Sequence, residues 1–357
     1  MNAFASLAED FVLNDDINQR WVVKRRPHGN VRADDFELQE HPIIELAQGE
    51  VLLQTRYLSL APVMRSYMNG NSFAGEAPLN PGDVIHGRGV AQVLKSRHPD
   101  WHEGDLVQGQ IGWQTYKCSK MTQAEKFWRL PPNGLPASLG LGALGMTGLS
   151  AWAGFINVGE PRAGETVLVS GAVGGVGSLV IQLAANVYDC EVIGIAGGDE
   201  KCTLAQELGC RSTIDYKLGD VGPQLADQAG DGIDLYFDNV GGEILDHALD
   251  HLRPAARIIL CGSISEYTRE TPFALPNYQR LRRTDSQMRG FFVYNHLNDW
   301  DRAMGHMAAW IHAGKLKPVE QVTQGFENMP SALAGLYSGQ NFGKQLCSVR
   351  GEPKEWR

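Results

Sequence analysis

The sequence predicts an α/β fold: a doubly wound parallel sheet joined to a β-rich, barrel-like part. Three observations predict it. Between about residues 165 and 295, β-branched apolar runs alternate with helical patterns. One junction, Glu165-Thr-Val-Leu-Val-Ser-Gly-Ala-Val-Gly-Gly-Val-Gly-Ser178, passes from such a run through a glycine cluster into a helical pattern at Leu179, Val180, Leu183 and Ala184. Residues 1 to about 140 instead carry short alternating segments broken by Pro-Gly and Gly-Asp turns.

Taken in order, Glu50–Tyr57 and Gly89–Leu94 read as strands of the β-rich part, with Pro81-Gly-Asp83 and His102-Glu-Gly-Asp105 as turns before strands. Thr166–Ser170 reads as the first strand of the parallel sheet and Glu191–Ala196 as the second. Asp199–Leu208 is a helix, with Lys201, Leu204, Ala205 and Leu208 at helical spacing. Ser212–Asp215 is a third strand and Gly232–Asn239 a fourth, followed by a helix from Gly242 to Leu252. Arg257–Cys261 is a fifth strand and Met288–Val293 a sixth. Lys344–Val349 is a last short strand that returns to the first part.

Composition narrows the function classes. At 357 residues, 43% of them hydrophobic, the chain is long enough for two domains with sizeable cores. The formal charge of −9 and the lack of a basic block argue against a nucleic-acid partner. No run of about 18 apolar residues occurs, which predicts no membrane span. The stretch Met-Asn-Ala-Phe-Ala-Ser-Leu-Ala-Glu-Asp at the start lacks the pattern of a signal peptide. The expectation is a soluble, cytoplasmic protein. Six cysteines are scattered without a Cys-x-x-Cys pair, which reads as reduced, mostly buried thiols and no cysteine-rich zinc lobe. The tail Gly351–Arg357 is polar.

The glycine junction carries the chemistry. Strand, tight turn and helix make the context in which a glycine cluster holds a dinucleotide. Gly174 lets the backbone approach a pyrophosphate, Gly177 lets the helix pack on its strand, and free N–H groups at the helix start face the phosphates. Ala172 stands where the common fingerprint has its first glycine, so the form is Ala-x-Gly-x-x-Gly. The second strand ends in Ala196-Gly-Gly198, where an NAD site of this type usually has an acidic residue. A phosphate could enter there, which favours NADP. Asp199 either supplies the acidic group or, the preferred reading, caps the following helix. Asn239 closes the fourth strand at the edge that faces a ligand in open sheets, and Asp238 beside it either joins the ligand or forms the turn.

Several dispersed motifs stand in order along nearly the whole chain: Leu58-Ser-Leu-Ala-Pro-Val-Met-Arg65, Gly145-Met-Thr-Gly-Leu-Ser-Ala-Trp152, the Ala172–Ser178 turn, Tyr236-Phe-Asp-Asn-Val-Gly-Gly-Glu243, Cys261-Gly-Ser-Ile-Ser-Glu-Tyr267, Gly290-Phe-Phe-Val-Tyr294 and Asn341-Phe-Gly-Lys344. In these the chain resembles the zinc-free branch of the medium-chain dehydrogenase/reductases. Within it, the chain is similar to the leukotriene B4 dehydrogenase/prostaglandin reductase group, which includes plant alkenal double-bond reductases and bacterial curcumin reductase. The resemblance implies a GroES-like domain from residues 1–142 and 315–357 and a Rossmann domain from residues 143–314. It implies NADPH as cofactor, with Lys201 and Tyr216 on the 2′-phosphate. Alone, Lys201 would read as a solvated helix residue and Tyr216 as a half-buried tyrosine at a strand end.

The same resemblance puts Gly174, Gly175, Val176, Gly177, Asn239, Cys261, Gly262, Ser263, Phe292, Val293 and Asn341 on the cofactor. It puts Met64, Arg65, Tyr67, Met146 and Tyr294 at the substrate pocket, though Arg65 also fits a surface salt bridge and Tyr294 also fits the cofactor. The implied reaction is hydride addition to the double bond of an α,β-unsaturated ketone or aldehyde. The alternatives are a zinc-free quinone reductase, a cofactor-binding protein without turnover and an alcohol-dehydrogenase-type activity. The enolate so formed needs a hydrogen-bond donor, either Tyr267, whose ordinary pKa is about 10, or the cofactor's ribose hydroxyl. The stretch Val84-Ile-His-Gly-Arg-Gly-Val90 has neither a carboxylate beside His86 nor a nearby cysteine, so His86 reads as structural and no metal is expected. The family often has Asp-Pro-Tyr-Met-Arg where this chain has Ala61-Pro-Val-Met-Arg65, so Val63 replaces a tyrosine and leaves the substrate range open; Tyr67 is a possible substitute. A homodimer built along the sixth strand is the implied assembly.

Overall fold

The computed structural model describes residues 17–70, 76–269 and 271–352, so the N-terminal stretch read for a leader and the last five residues of the polar tail lie outside the described residues. The chain forms two compact units. The first comprises Met1–Leu141, Val322–Ser338 and Gln345–Arg357; the second comprises Gly142–Gln321 and Gly339–Lys344.

In the first unit, β1 (Ile17–Val23) and β2 (Phe36–Pro42) form an antiparallel pair. The main sheet is built around β3 (Val51–Ser59), whose side chains are almost all buried. Along one edge β3 pairs with β4 (Arg88–Ser96), which pairs with β5 (Leu106–Gln110). On its other edge the first half of β3 pairs with β6 (Tyr116–Ser119). The strand β7 (Trp128–Leu130) lies beyond β5. A single helical turn, α1 (Met64–Tyr67), follows β3. This is the β-rich architecture the turn-broken alternation predicts, since a sheet with one solvated face needs polar residues at every second place.

The second unit opens with α2 (Met146–Trp152), which continues into a π-helical stretch over Ala153–Val158. Its six-stranded parallel sheet runs through β8 (Thr166–Ser170), β9 (Glu191–Ala196), β10 (Cys210–Asp215), β11 (Ile233–Asp238), β12 (Leu252–Leu260) and β13 (Gln287–Gly290). The spatial order is β10-β9-β8-β11-β12-β13 with all pairings parallel. The order therefore reverses between β8 and β11, the switch point where open α/β sheets hold ligands. The connecting helices are α3 (Gly177–Gln182), α4 (Asp199–Glu207), α5 (Val221–Ala229), α6 (Gly242–Leu249), α7 (Arg280–Thr284) and α8 (Trp300–His312). Three elements complete the chain: β14 (Glu320–Gln324), α9 (Met329–Tyr337) and β15 (Lys344–Ser348), the last of which pairs with the second half of β3.

All of β8 is buried, and β11 is buried at Ile233, Leu235, Tyr236, Phe237 and Asp238. Central parallel strands are covered on both faces, so they read as continuous apolar runs. Each such aliphatic side chain contributes about 1.5–3 kcal/mol by burial. Three boundaries differ from expectation by three residues or more, and one helix is unexpected. The strand β12 starts at Leu252 rather than Arg257, passing Pro254 and a register shift that the sequence reads as a break. The helix α6 stops at Leu249, and β13 stops at Gly290 because Val293 already begins a 3-10 turn. The helix α5 was not expected, although Asp220 caps it by accepting the Gly222 amide at 3.0 Å.

Close packing of α3 on β8 depends on Gly177. A Cβ there would collide with the Gly171 carbonyl oxygen and sit 3.0 Å from the Gly171 carbonyl carbon and 3.1 Å from Ala172 Cα. These are backbone atoms in a buried turn, so the helix itself must move. Gly177→Ala is expected to destabilise the protein by about 1–3 kcal/mol, read as a lower melting temperature in calorimetry; an unchanged melting curve would contradict this packing.

Candidate cofactor and active site

The carboxyl ends of β8 and β11 are tied by one buried carboxylate. Asp238 is 1% exposed. It accepts hydrogen bonds from Ser170 Oγ at 2.7 Å, from the Tyr236 hydroxyl at 2.7 Å, and from the amides of Val240 and Gly241 at 3.0 and 3.1 Å. Burial drives the Tyr236 hydroxyl well above the ordinary tyrosine range, so it stays a donor. Ser170 Oγ in turn accepts the Asn239 amide at 2.9 Å, and Asn239 Nδ2 donates to the Ser170 carbonyl at 2.8 Å. Of the two roles open to Asp238, the geometry gives it the turn. Asn239 stands half-buried at the switch point beside it.

The glycine turn lies across the sheet edge from Asn239. Gly174 donates to the Gly171 carbonyl and accepts from the Ser178 amide, both at 2.9 Å. The amides of Gly175 and Val176 donate to no backbone carbonyl among the described residues. Unpaired amides leading into a helix are what a pyrophosphate needs.

At the end of β9 the glycines leave room. Gly198, with φ +97°, occupies the cap position of α4, and Asp199 is the first helical residue without a side-chain capping bond. The expectation that Asp199 caps the helix is therefore corrected: only glycine adopts that backbone readily. The nearby carboxylate of Asp215 is engaged by the Gly198 amide at 2.8 Å and the Lys217 amide at 2.9 Å. Tyr216 is 42% exposed and its ring lies where a Cβ on Gly197 would be. Lys201 is half-buried rather than a solvated helix residue; its Nζ donates to the Gly339 carbonyl at 2.8 Å. Burial, and then the neighbouring Lys217, hold its ammonium below the ordinary lysine range. Among the described residues Lys201 forms no ion pair with a carboxylate, and the one charge acting on it is that of Lys217. The local chemistry fits an added phosphate.

The loop after β12 is hung on Asp238 as well, whose carbonyl accepts the amides of Cys261 at 2.9 Å and Gly262 at 3.2 Å. Burial pushes the Cys261 thiol up to about 12, which makes it inert. Tyr267 lies further along this loop, partly buried. Burial raises its hydroxyl above the ordinary tyrosine value, and hydrogen bonding to the backbone and side chain of Ser263 pulls it part of the way back. The Phe292 and Tyr294 rings pack at 5.2 Å, flanking Val293, with Phe292 44% exposed. Met146 is half-buried at the first turn of α2. Asn341 is half-buried in the Gly339–Lys344 segment, between Lys201's partner Gly339 and the glycine turn's neighbour Gly343.

In the first unit α1 holds the remaining expected positions. Met64 is 3% exposed and Tyr67 7%. Arg65 is no surface ion pair: its guanidinium donates to the carbonyls of Gly29 and Pro27, each at 2.9 Å, and to Asn69. Burial lowers its pKa from the ordinary arginine value. The Tyr337 hydroxyl accepts the Arg65 amide at 3.0 Å and donates to the Pro62 carbonyl at 2.7 Å, fixing the turn around Val63. His86 Nε2 meets the Ala77 carbonyl at 2.9 Å, and its ring stands edge-on to Tyr67 at 5.5 Å. Among the described residues no three His, Cys, Asp or Glu side chains cluster as metal ligands, and no helix is long and apolar enough to cross a membrane. Sequence reasoning missed Ser170, Gly339 and Tyr337, whose contacts span 68, 138 and 272 residues of chain and leave no local pattern.

Comparison with known proteins agrees with this architecture. Residues 19–127 match the N-terminal domain of oxidoreductases, and residues 175–309 match the zinc-binding dehydrogenase family. The chain is 38% identical to the NADPH-dependent curcumin reductase of Escherichia coli over 345 residues, 94% of this chain and 98% of that protein. It is 37% identical to the NADP(+)-dependent 2-alkenal reductase of Nicotiana tabacum, over 94% of this chain and 98% of that one. The crystal structure of CurA from Vibrio vulnificus in complex with NADPH superposes with a TM-score of 0.87 at 36% identity, covering 93% of this chain and 99% of that one. The chain thus belongs to the medium-chain dehydrogenase/reductases, in the group that holds the curcumin, 2-alkenal and prostaglandin reductases.

Proposed function

We propose that this protein is an NADPH-dependent oxidoreductase that reduces the carbon–carbon double bond of α,β-unsaturated ketones and aldehydes. The single observation that carries the cofactor half is Lys201, a half-buried cation at the glycine end of β9 with no carboxylate partner among the described residues. The relatives' reactions carry the substrate half. The second unit is the cofactor domain. Gly174, Gly175, Val176 and Gly177 hold the pyrophosphate; Lys201 and Tyr216 hold the 2′-phosphate. Asn239, Cys261, Gly262, Ser263, Phe292, Val293 and Asn341 line the rest of the coenzyme. The substrate-contacting positions assigned by this reading are Met64 and Tyr67 in the first unit, where Arg65 fixes the α1 turn, and Met146 and Tyr294 in the second.

NADPH held by these residues would supply the hydride. Hydride addition at the β-carbon leaves negative charge on the substrate's carbonyl oxygen, and a positioned donor there lowers the barrier. Tyr267 is that donor. Its raised pKa keeps the proton on the hydroxyl through neutral pH, so the donor is lost only above the ordinary tyrosine range. The reading assigns no metal to the reaction, and gives His86 a structural part: its Nε2 meets the Ala77 carbonyl and its ring packs against Tyr67. The reading extends to a cytoplasmic location and to a homodimer, in which a second copy would cover the edge of β13, a strand that pairs on one side only among the described residues.

Two variants test it. Lys201→Ala is expected to weaken NADPH binding by about 10- to 100-fold, the worth of a charge-assisted hydrogen bond, and to leave NADH binding unchanged in titration calorimetry. Equal losses would remove Lys201 from the phosphate. Tyr267→Phe is expected to lower kcat by about 10²–10³-fold with cofactor affinity intact; undiminished turnover would take Tyr267 out of the reaction.

A further inference from the structure

We propose that Phe342 is a specificity-determining residue for the coenzyme's 2′-phosphate, because its ring holds the Lys201 ammonium where the phosphate must meet it. The proposal rests on the reading of Lys201 as the phosphate ligand. Lys201 Nζ lies 5.3 Å from the Phe342 ring centroid, within the range in which a cation is attracted to an aromatic face. The same ammonium donates to the Gly339 carbonyl, one of the three hydrogens that a lysine head carries. A lysine head on a flexible four-carbon stem is otherwise a poorly placed charge. Here the carbonyl and the ring fix it from one segment of chain.

That segment is itself pinned. The Phe342 amide donates to Gln321 Oε1 at 2.9 Å, the Gly343 amide to the Val173 carbonyl at 2.7 Å, and the Lys344 amide to the Val319 carbonyl at 2.8 Å. Gly343 has φ +58°, and a Cβ there would collide with the Val319 carbonyl, so no other residue brings the strap this close. Gly343 also bridges to Gly174 in the glycine turn. The strap from Gly339 to Lys344 thus joins the turn that meets the pyrophosphate to the cation that meets the 2′-phosphate. NADH lacks that phosphate and gains nothing from a well-placed Lys201. The ring therefore acts on the preference between the coenzymes and not on dinucleotide binding as such.

The test is calorimetric binding of NADP⁺, NAD⁺ and the fragment 2′,5′-ADP to the full-length protein. Phe342→Leu keeps an apolar side chain and removes the ring. It is expected to weaken NADP⁺ and 2′,5′-ADP by about 2- to 5-fold, the worth of an exposed cation–π contact, and to leave NAD⁺ unchanged. Phe342→Tyr, which keeps the ring, is expected to bind all three like the parent. In a Lys201→Met background, Phe342→Leu is expected to add no further loss. Equal weakening of NADP⁺ and NAD⁺ by Phe342→Leu, or no weakening of NADP⁺, would overturn the proposal. If Lys201→Met itself fails to weaken NADP⁺ selectively, the reading of Lys201 falls and the role of Phe342 falls with it.

Discussion

The buried carboxylate of Asp238 is the point from which the second unit's sheet edge is organised. Its side chain collects Ser170, Tyr236 and the amides of Val240 and Gly241, while its carbonyl collects the amides of Cys261 and Gly262. Loops after three neighbouring strands, β8, β11 and β12, are thereby held at one place. A buried charge is tolerated only when its lone pairs are satisfied, and here four donors meet it. Losing one would leave a dehydrated carboxylate partly unpaired, which costs more than the lost bond. The carboxylate therefore serves the geometry of the site rather than its chemistry, and Asn239 and the Tyr267 loop depend on it for position.

Placement and chemistry are divided among different residues. Glycines at the β8 turn leave amides unpaired, and the strap from Gly339 to Lys344 locks Lys201 against a carbonyl and a ring. In the other unit, Tyr337 and the carbonyls around Arg65 fix the α1 turn in the same way. The buried arginine there contributes rigidity, since every contact it makes is to the chain itself. Val63 sits on that turn, at the position where the family resemblance leads one to expect a tyrosine.

Much of this was legible in the sequence, and the exceptions have physical causes. The strands β8, β9 and β11 carry continuous apolar runs, and the turn after β8 carries its own glycine spacing, so fold and cofactor class follow from local pattern. Asp199 looked like a cap because acidic residues favour that place, but Gly198 takes it through a backbone angle that no side-chain pattern reveals. The helix α5 hid behind Gly222 and Pro223 in its first turn, although Asp220 before it and Gly230 after it mark its ends. The strand β12 looked shorter than it is because Pro254 sits at an irregular pairing. The partners of Asp238, Lys201 and Arg65 come from distant parts of the chain, and nothing local announces them.

The central claim is the reaction class. It is tested most directly by following loss of NADPH absorbance with a small enone, a 2-alkenal and a quinone in parallel, each repeated with a chelator and with NADH. The account predicts reduction of the enone and the alkenal that selects NADPH and is indifferent to the chelator. Reduction of the quinone alone, or no turnover with any of the three, would contradict it.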